Sequence, residues 1–323
     1  MRRICSAVVL AALFGYVMVV AAHGQLPAGA SNPFAGARYY VNPESNAART
    51  EALWRAHGRT GDASAVGKIA RRPQAIWFGD WNGPDPSSAV RAVVGSARGA
   101  GALPVLVAYD IPGRDCGGYS RGGAGSAGAY RSWIDGIARG IGSGPAVVIL
   151  EPDAIPELDC MTQADQRTTL SLLSYAVARL SSRGTSVYLD AGNRGWQPPE
   201  VIAARLRNAG VARARGFSLN VSNFDWTSSE EQYGNRISAL TGGKHFVIDT
   251  SRNGRGPASS SAWCNPPGRG LGRPATNATG DPLADALFWI KVPGESDGVC
   301  NGGPAAGVWW PRYALGLARR AAF

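Results

Sequence analysis

Histidine is almost missing from this chain: three occur in 323 residues, at positions 23, 57 and 245. His23 borders an apolar N-terminal run, His57 falls on a helix-like segment and His245 opens an apolar stretch. None is placed to serve as the base of a Ser-His-Asp or Cys-His nucleophile. Lysine is as scarce, at 68, 244 and 291, so the net charge of +10 comes from arginines scattered among Ala and Gly. No basic run with interleaved aromatics occurs, which argues against nucleic acid as a partner. There is no C-x-x-C motif or Cys/His cluster, which argues against zinc. The glycine-rich stretch 117–128, GGYSRGGAGSAG, lacks the Gly-Lys-Ser/Thr ending of a phosphate cradle and reads as a loop. No metal and no cofactor are expected, and after residue 22 no apolar run is long enough to span a bilayer.

The N-terminus carries Arg2 and Arg3, then apolar residues from Ile4 to Ala22, then small residues around His23. This is the pattern of an export signal, assigned to residues 1–24, and its length also suits an uncleaved membrane anchor. Residues 25–36, QLPAGASNPFAG, read as a short linker, and residues 37–323 as one catalytic-size domain with no further linker. The expected product is a secreted monomer with no membrane contact after signal cleavage. Removing the signal takes away Cys5 and leaves Cys116, Cys160, Cys264 and Cys300. An even set in an exported chain favours disulfides, with three pairings open.

From residue 37 onward the chain repeats one theme, a short apolar strand ending at a polar residue, then a loop and a helical segment. Seven strands are expected: 75–78, 103–109, 146–150, 186–189, 216–219, 245–248 and 286–290. They end at Asp80, Asp110, Glu151 with Asp153, Asp190, Asn220, Asp249 and Lys291. Helix-like spacing covers 44–58, 87–98, 130–141, 165–183, 198–209, 228–240 and 309–321. Alternating strands and helices imply parallel pairing with right-handed crossovers. A polar group at every strand end points to an α/β barrel with a polar mouth in preference to an open doubly wound sheet.

That mouth holds Asp110, Asp115, Glu151, Asp153, Asp190, Asp249, Glu295 and Asp297. Such acids could bind a cation, pair with arginines, or divide into a protonated acid and an ionised base. The tryptophans discriminate, because Trp77, Trp81, Trp196, Trp226, Trp263 and Trp289 all fall on strands or the loops after them. A flat indole suits the C–H face of a pyranose, so a saccharide groove is expected. Glycoside hydrolysis needs two carboxylates and little else, and crowding acids at one mouth raises the pKa of the one that must stay protonated.

Two stretches narrow this further. Tyr109 to Gly117, YDIPGRDCG, and Val148 to Pro156, VILEPDAIP, resemble the two signature motifs of glycoside hydrolase family 6, the inverting cellulases that cut β-1,4-glucans. Supporting matches are YLDAG at 188–192, DTSRNG at 249–254, WCN at 263–265 and WIKVPGESDG at 289–298, in order over roughly residues 33–323. The resemblance implies a single-domain, distorted seven-stranded parallel β/α barrel. It implies Asp153 as general acid, Asp115 as the aspartate that supports its proton and stabilises developing positive charge, and Tyr109 as the residue that crowds the reacting sugar. Asp297 matches a residue often proposed as base. Lys291 and Glu295 would bind sugar hydroxyls with Asp190 in support, and Trp77, Trp196, Trp263, Trp289 and Asn220 complete the substrate-binding set. The implied disulfides are Cys116–Cys160 and Cys264–Cys300. One departure is Asn193, where the family commonly carries His after the Asp-Ala-Gly turn. The short, Gly-rich connections between the paired cysteines resemble open-cleft endoglucanases. The expected activity is therefore an endo-β-1,4-glucanase acting on β-1,4-glucan and cello-oligosaccharides. A non-hydrolytic glucan-binding cell-envelope protein and a cellobiohydrolase are the alternatives.

Overall fold

The computed structural model describes residues 31–182, 184–259 and 262–323. The export signal and residues 25–30 of the expected linker lie outside the described residues. All seven apolar runs form strands: β1 (Ile76–Phe78), β2 (Val105–Ala108), β3 (Ala146–Leu150), β4 (Thr185–Asp190), β5 (Gly216–Leu219), β6 (His245–Asp249) and β7 (Ala284–Phe288). They pair in chain order, every pair parallel. The helices are α1 (Asn46–Ala56), α2 (Thr60–Ala70), α3 (Ser87–Gly99), α4 (Ala127–Ile141), α5 (Gln163–Ser181), α6 (Pro199–Asn208), α7 (Thr227–Leu240) and α8 (Pro311–Arg319). Sequence periodicity missed α2, whose buried face is built largely from small residues, Ala63, Gly67 and Ala70 beside Val66 and Ile69, and so carries little hydrophobic contrast.

Strand side chains alternate between two apolar layers. Val105, Val107, Val147, Ile149, Tyr188, Val247, Phe288 and Ile290 share an inner cluster. Leu106, Ala108, Val148, Leu150, Val187, Leu189, Phe217 and Ile248 join the helices in an outer one. Both faces of the sheet are covered, which is why the strands read as continuous apolar runs. The sheet curls without a ladder between β1 and β7. Ala75 N–H donates to Trp289 O at 2.9 Å, and the Trp77 indole donates to Ile290 O at 2.8 Å across the same seam. This is the distortion of the barrel.

Residues 32–36 were expected to be linker, and the structure corrects this. The compact unit begins at Asn32. Phe34 is buried in the inner cluster, with its ring centroid 5.9 Å from that of Phe288 and 6.2 Å from that of Tyr188. A lone Phe among turn-forming residues has no periodic pattern to reveal it. Near Phe34, buried Asp285 accepts from Tyr188 Oη at 2.6 Å and Arg215 Nε at 2.8 Å. His245 Nδ1 lies 3.0 Å from the same carboxylate. This histidine opens β6 and so sits at the end of the sheet opposite the carboxyl-terminal rim.

Candidate active site

Where the strands end, the backbone enters the left-handed region at residues other than glycine: Asp115 (φ 59°), Glu151 (φ 50°), Asp153 (φ 75°), Asn220 (φ 63°), Ser222 (φ 59°) and Asn265 (φ 47°). Such conformations cost energy and persist only when their surroundings hold them, so their clustering on one rim marks a site.

The restraints around the acids are visible. Asp190, the last residue of β4, follows the inward parity of Tyr188 and is buried. Its Oδ1 accepts the backbone N–H of Asp153 at 3.1 Å and of Gly192 at 3.0 Å, and its Oδ2 accepts the Ser218 hydroxyl at 3.0 Å. Gly192 has φ +71°, and a Cβ there would lie 2.6 Å from Pro156 Cγ. Only glycine lets the Asp-Ala-Gly turn and the loop of Asp153 approach so closely. Burial, opposed by these hydrogen bonds, pushes the Asp190 carboxyl up to about 6. Asp153 is raised well above the ordinary carboxylate range by burial first, then by Asp190, Glu157 and Asp115, with Lys291 opposing. The rim thus holds a carboxyl group that keeps its proton where an ordinary aspartate would lose it.

Asp115 lies at the start of a short 3-10 helix, Asp115–Gly117, and accepts Ser120 N–H at 2.6 Å. Burial raises its pKa, against Ser120 N–H and Arg114. The neighbouring Cys116 is bonded to Cys160, Cα–Cα 6.4 Å, which ties the loop after β2 to the loop after β3. Cys264 and Cys300 are bonded likewise, Cα–Cα 6.1 Å, so both implied pairings are present. Buried Tyr109 meets Trp77 edge-on at 5.2 Å, and the Arg114 guanidinium lies 4.6 Å from its ring centroid.

Glu151 has a different role from Asp153. Its carboxylate accepts Asp110 N–H at 3.0 Å and Ile111 N–H at 3.0 Å, holding the strand end that leads to Asp115, and burial pushes it up to about 8. Asp249 does the same job opposite, accepting Lys291 N–H at 2.9 Å and Ser222 N–H at 3.0 Å. Lys291 Nζ lies 3.6 Å from Asp297. Asp297 itself is clasped by the buried Arg252, whose Nη1 donates at 2.9 and 2.8 Å, and by Asn265 N–H at 2.9 Å. Arg252 also donates to the Ser222 carbonyl. Glu295 is pushed up to about 7 by burial, with Lys291 opposing.

Of the aromatic candidates, Trp196 and Trp263 offer exposed rings, while Trp77 is half-buried beside Tyr109. Two assignments need correction. Trp289 has 0% exposure: Phe288 and Ile290 point inward, so the residue between them faces the helices and packs with Leu271, Tyr313 and Leu317. A covered ring has no face for a sugar. Asn220 is also fully buried, and its amide donates to Asp249 O at 2.9 Å and accepts Asp225 N–H at 3.1 Å. It holds the turn after β5 together and is not open to substrate. Asn193, the departure from the family, accepts Gly195 N–H at 2.9 Å and so shapes a turn.

Sequence reasoning missed Arg252 as the partner of Asp297, although it lies inside the DTSRNG stretch. It missed Glu157, which only the fold brings to the acids. It also missed Tyr119, which is half exposed and lies 6.2 Å from the Trp263 ring across the two disulfide-tied loops. A Tyr in a glycine-rich loop carries no signal of its own.

Known proteins resemble this chain in sequence and in fold. Endoglucanase A of Cellulomonas fimi is 47% identical over 286 residues, which cover 88% of this chain and 61% of that protein, so the chain spans under two thirds of that relative. Endoglucanase 1 of Streptomyces halstedii is 42% identical over 299 residues, 89% of this chain and 91% of that protein. Among solved structures, the endoglucanase Cel6 of Mycobacterium tuberculosis, in complex with methyl-cellobiosyl-4-deoxy-4-thio-β-D-cellobioside, superposes with a TM-score of 0.84 at 46% identity, covering 90% of this chain and 99% of that one. The model of glycosyl hydrolases family 6 matches residues 34–321, from the buried Phe34 to just past α8, and the chain belongs to that family.

Proposed function

We propose that this chain is a secreted, inverting endo-β-1,4-glucanase that hydrolyses internal bonds of cellulose-like glucans. The observation that carries this reading is Asp153, a carboxyl group kept protonated by burial and three acidic neighbours on a rim with exposed tryptophans. Its proton goes to the leaving glycosidic oxygen as the C1–O bond breaks. Asp115, fixed beside it by Ser120 N–H and the Cys116–Cys160 disulfide, stabilises the positive charge that grows on the sugar. Tyr109, backed by Trp77 and Arg114, crowds the reacting ring and favours a distorted conformer. Water then enters on the opposite face, which inverts the anomeric centre; the proton it sheds as its oxygen bonds to C1 passes to solvent, and Asp153 regains a proton from solvent for the next turnover.

Asp297 is assigned an anchoring role. Its oxygens already accept from Arg252 and Asn265 N–H and lie beside Lys291, so they are committed to contacts within the fold. It ties the loop bearing Trp263 to the segment after β7 instead. Lys291 and Glu295 supply polar contacts to sugar hydroxyls, and Trp196 and Trp263 supply stacking faces. The endo preference is supported by the relatives, which are named endoglucanases, and export by the Arg2-Arg3 and apolar pattern of the N-terminal sequence.

The test is Asp153→Asn in the purified mature protein. The variant should fold normally and lose reducing-end release from carboxymethylcellulose, while the parent lowers the viscosity of that substrate rapidly and yields α-anomers first by NMR. Substantial hydrolysis by Asp153→Asn removes the acid assignment. Cello-oligosaccharide binding without cleavage by the parent would point to a non-hydrolytic protein.

A further inference from the structure

We propose that Glu157 is a positioning residue for the general acid, its carboxylate keeping the proton on Asp153 as pH rises toward neutrality. The inference rests on Asp153 being the acid, and it adds a fourth carboxylate that neither the signature motifs nor the chemistry of two-acid hydrolysis requires.

The geometry begins with the short 3-10 helix Pro156–Cys160 that follows Asp153. Glu157 N–H donates to Asp153 O at 3.0 Å, so the two residues are joined by one backbone turn. Cys160 closes that helix and is bonded to Cys116, the neighbour of Asp115. Cys116 Sγ lies 3.7 Å from the Glu157 carbonyl oxygen. Pro156 and Leu158, on either side of Glu157, are buried. The segments that carry Asp115, Asp153, Glu157 and Asp190 are thus tied to one another by a helix turn, a disulfide and the Asp190 hydrogen bond to the Asp153 N–H.

The charges nearby leave Glu157 without relief. Arg205 binds the carbonyls of Ile155 and Pro156 and the Asp159 side chain. Arg114 is taken up by Asp80, Tyr109 O and Ser120 O. Lys291 acts on Asp153 from the loop after β7. Among the described residues no donor reaches the Glu157 carboxylate. Tyr109 faces the same cluster and feels Asp153, Asp115 and Glu157 together. Burial, Asp115 and Asp190 push Glu157 up to about 7. Near that pH Glu157 ionises, and its new charge then opposes loss of the proton from Asp153. Acid function is extended upward in pH without a further hydrogen bond to Asp153.

The experiment is the pH profile of kcat/KM on a soluble cello-oligosaccharide for the parent, Glu157→Gln and Glu157→Asp. Glu157→Gln should move the alkaline limb down by about one pH unit and leave the acid limb in place. Glu157→Asp should restore most of the shift. On an aryl cellotrioside whose leaving group needs no proton, the limbs of parent and Glu157→Gln should coincide. An equal fall in rate at every pH, with the limb unmoved, would mean a merely structural role and overturn the proposal. Should Glu157→Gln not fold, a ¹³C-carboxyl NMR titration of the parent decides: Asp153 and Glu157 carbons that each show the other's titration step support it, and two independent single-step curves overturn it. Asp153→Asn separates the two readings, because residual cleavage by that variant sinks the acid assignment whatever Glu157 does.

Discussion

The Asp190 carboxylate holds the backbone N–H of Asp153 at 3.1 Å and is also the acidic neighbour that raises Asp153 most. One side chain therefore sets both where the acid stands and how tightly it keeps its proton. Asp190 can do this because β4 places it inward, under the rim, where Gly192 N–H and Ser218 Oγ satisfy its oxygens. Positioning and tuning are supplied here by a buried carboxylate that need not touch substrate.

Burying so many acids has a consequence for stability. Asp110 and Glu157 are pushed up to about 7, Glu151 and Glu230 to about 8, Asp190 to about 6 and Glu295 to about 7, all with burial as the leading cause. In the unfolded chain such groups titrate near pH 4. Between about pH 4 and 8 the native state therefore binds more protons than the unfolded one, and stability must fall as pH rises through that window. Asp62, Asp85 and Asp135 are shifted the other way, and their contribution is lost only as pH falls below the ordinary aspartate range. Calorimetry at constant ionic strength should give a higher Tm at pH 5 than at pH 8. An equal or higher Tm at pH 8 would contradict the assignment of these acids as protonated in the fold.

The Asp297–Arg252 pair is buried at both ends, with side chains 4% and 0% exposed. Removing one partner strands a full charge in the interior, which costs ~3–5 kcal/mol. Arg252→Leu and Asp297→Leu should each lower stability by that much in urea melts, while the double variant should recover a large part of the loss. Additive losses in the double variant would show that the two residues are not a coupled pair.

Much of this arrangement was legible in the sequence. The seven strands could be read because both of their faces are covered, giving β2 and β3 unbroken apolar runs. Asp153 and Asp115 could be read because each sits in a motif where a strand breaks at an acid. What could not be read depends on parity or on contacts across the rim. Trp289 lies one residue past β7, and a single step decides between groove and core. Asn220 looked like a rim donor, yet its amide is spent on the turn it closes. Glu157 is unremarkable in the chain and matters only because a disulfide and a helix turn carry it to Asp115 and Asp153.

The two tryptophans with opposite fates offer the sharpest check on that parity. Trp289 fills space between Leu271, Tyr313 and Leu317, and its indole donates to Arg273 O at 3.1 Å. Trp289→Ala should cost ~3–5 kcal/mol of stability, as for other buried aromatic truncations. Trp263 is 49% exposed and touches Tyr119 rather than the core. Trp263→Ala should leave the melting curve close to that of the parent and raise KM for cello-oligosaccharides roughly three- to tenfold, the range of a lost aromatic contact. If Trp289→Ala instead kept its stability and lost affinity, β7 would have to run one residue out of the register observed here, with its inward face carrying Trp289 in place of Phe288 and Ile290.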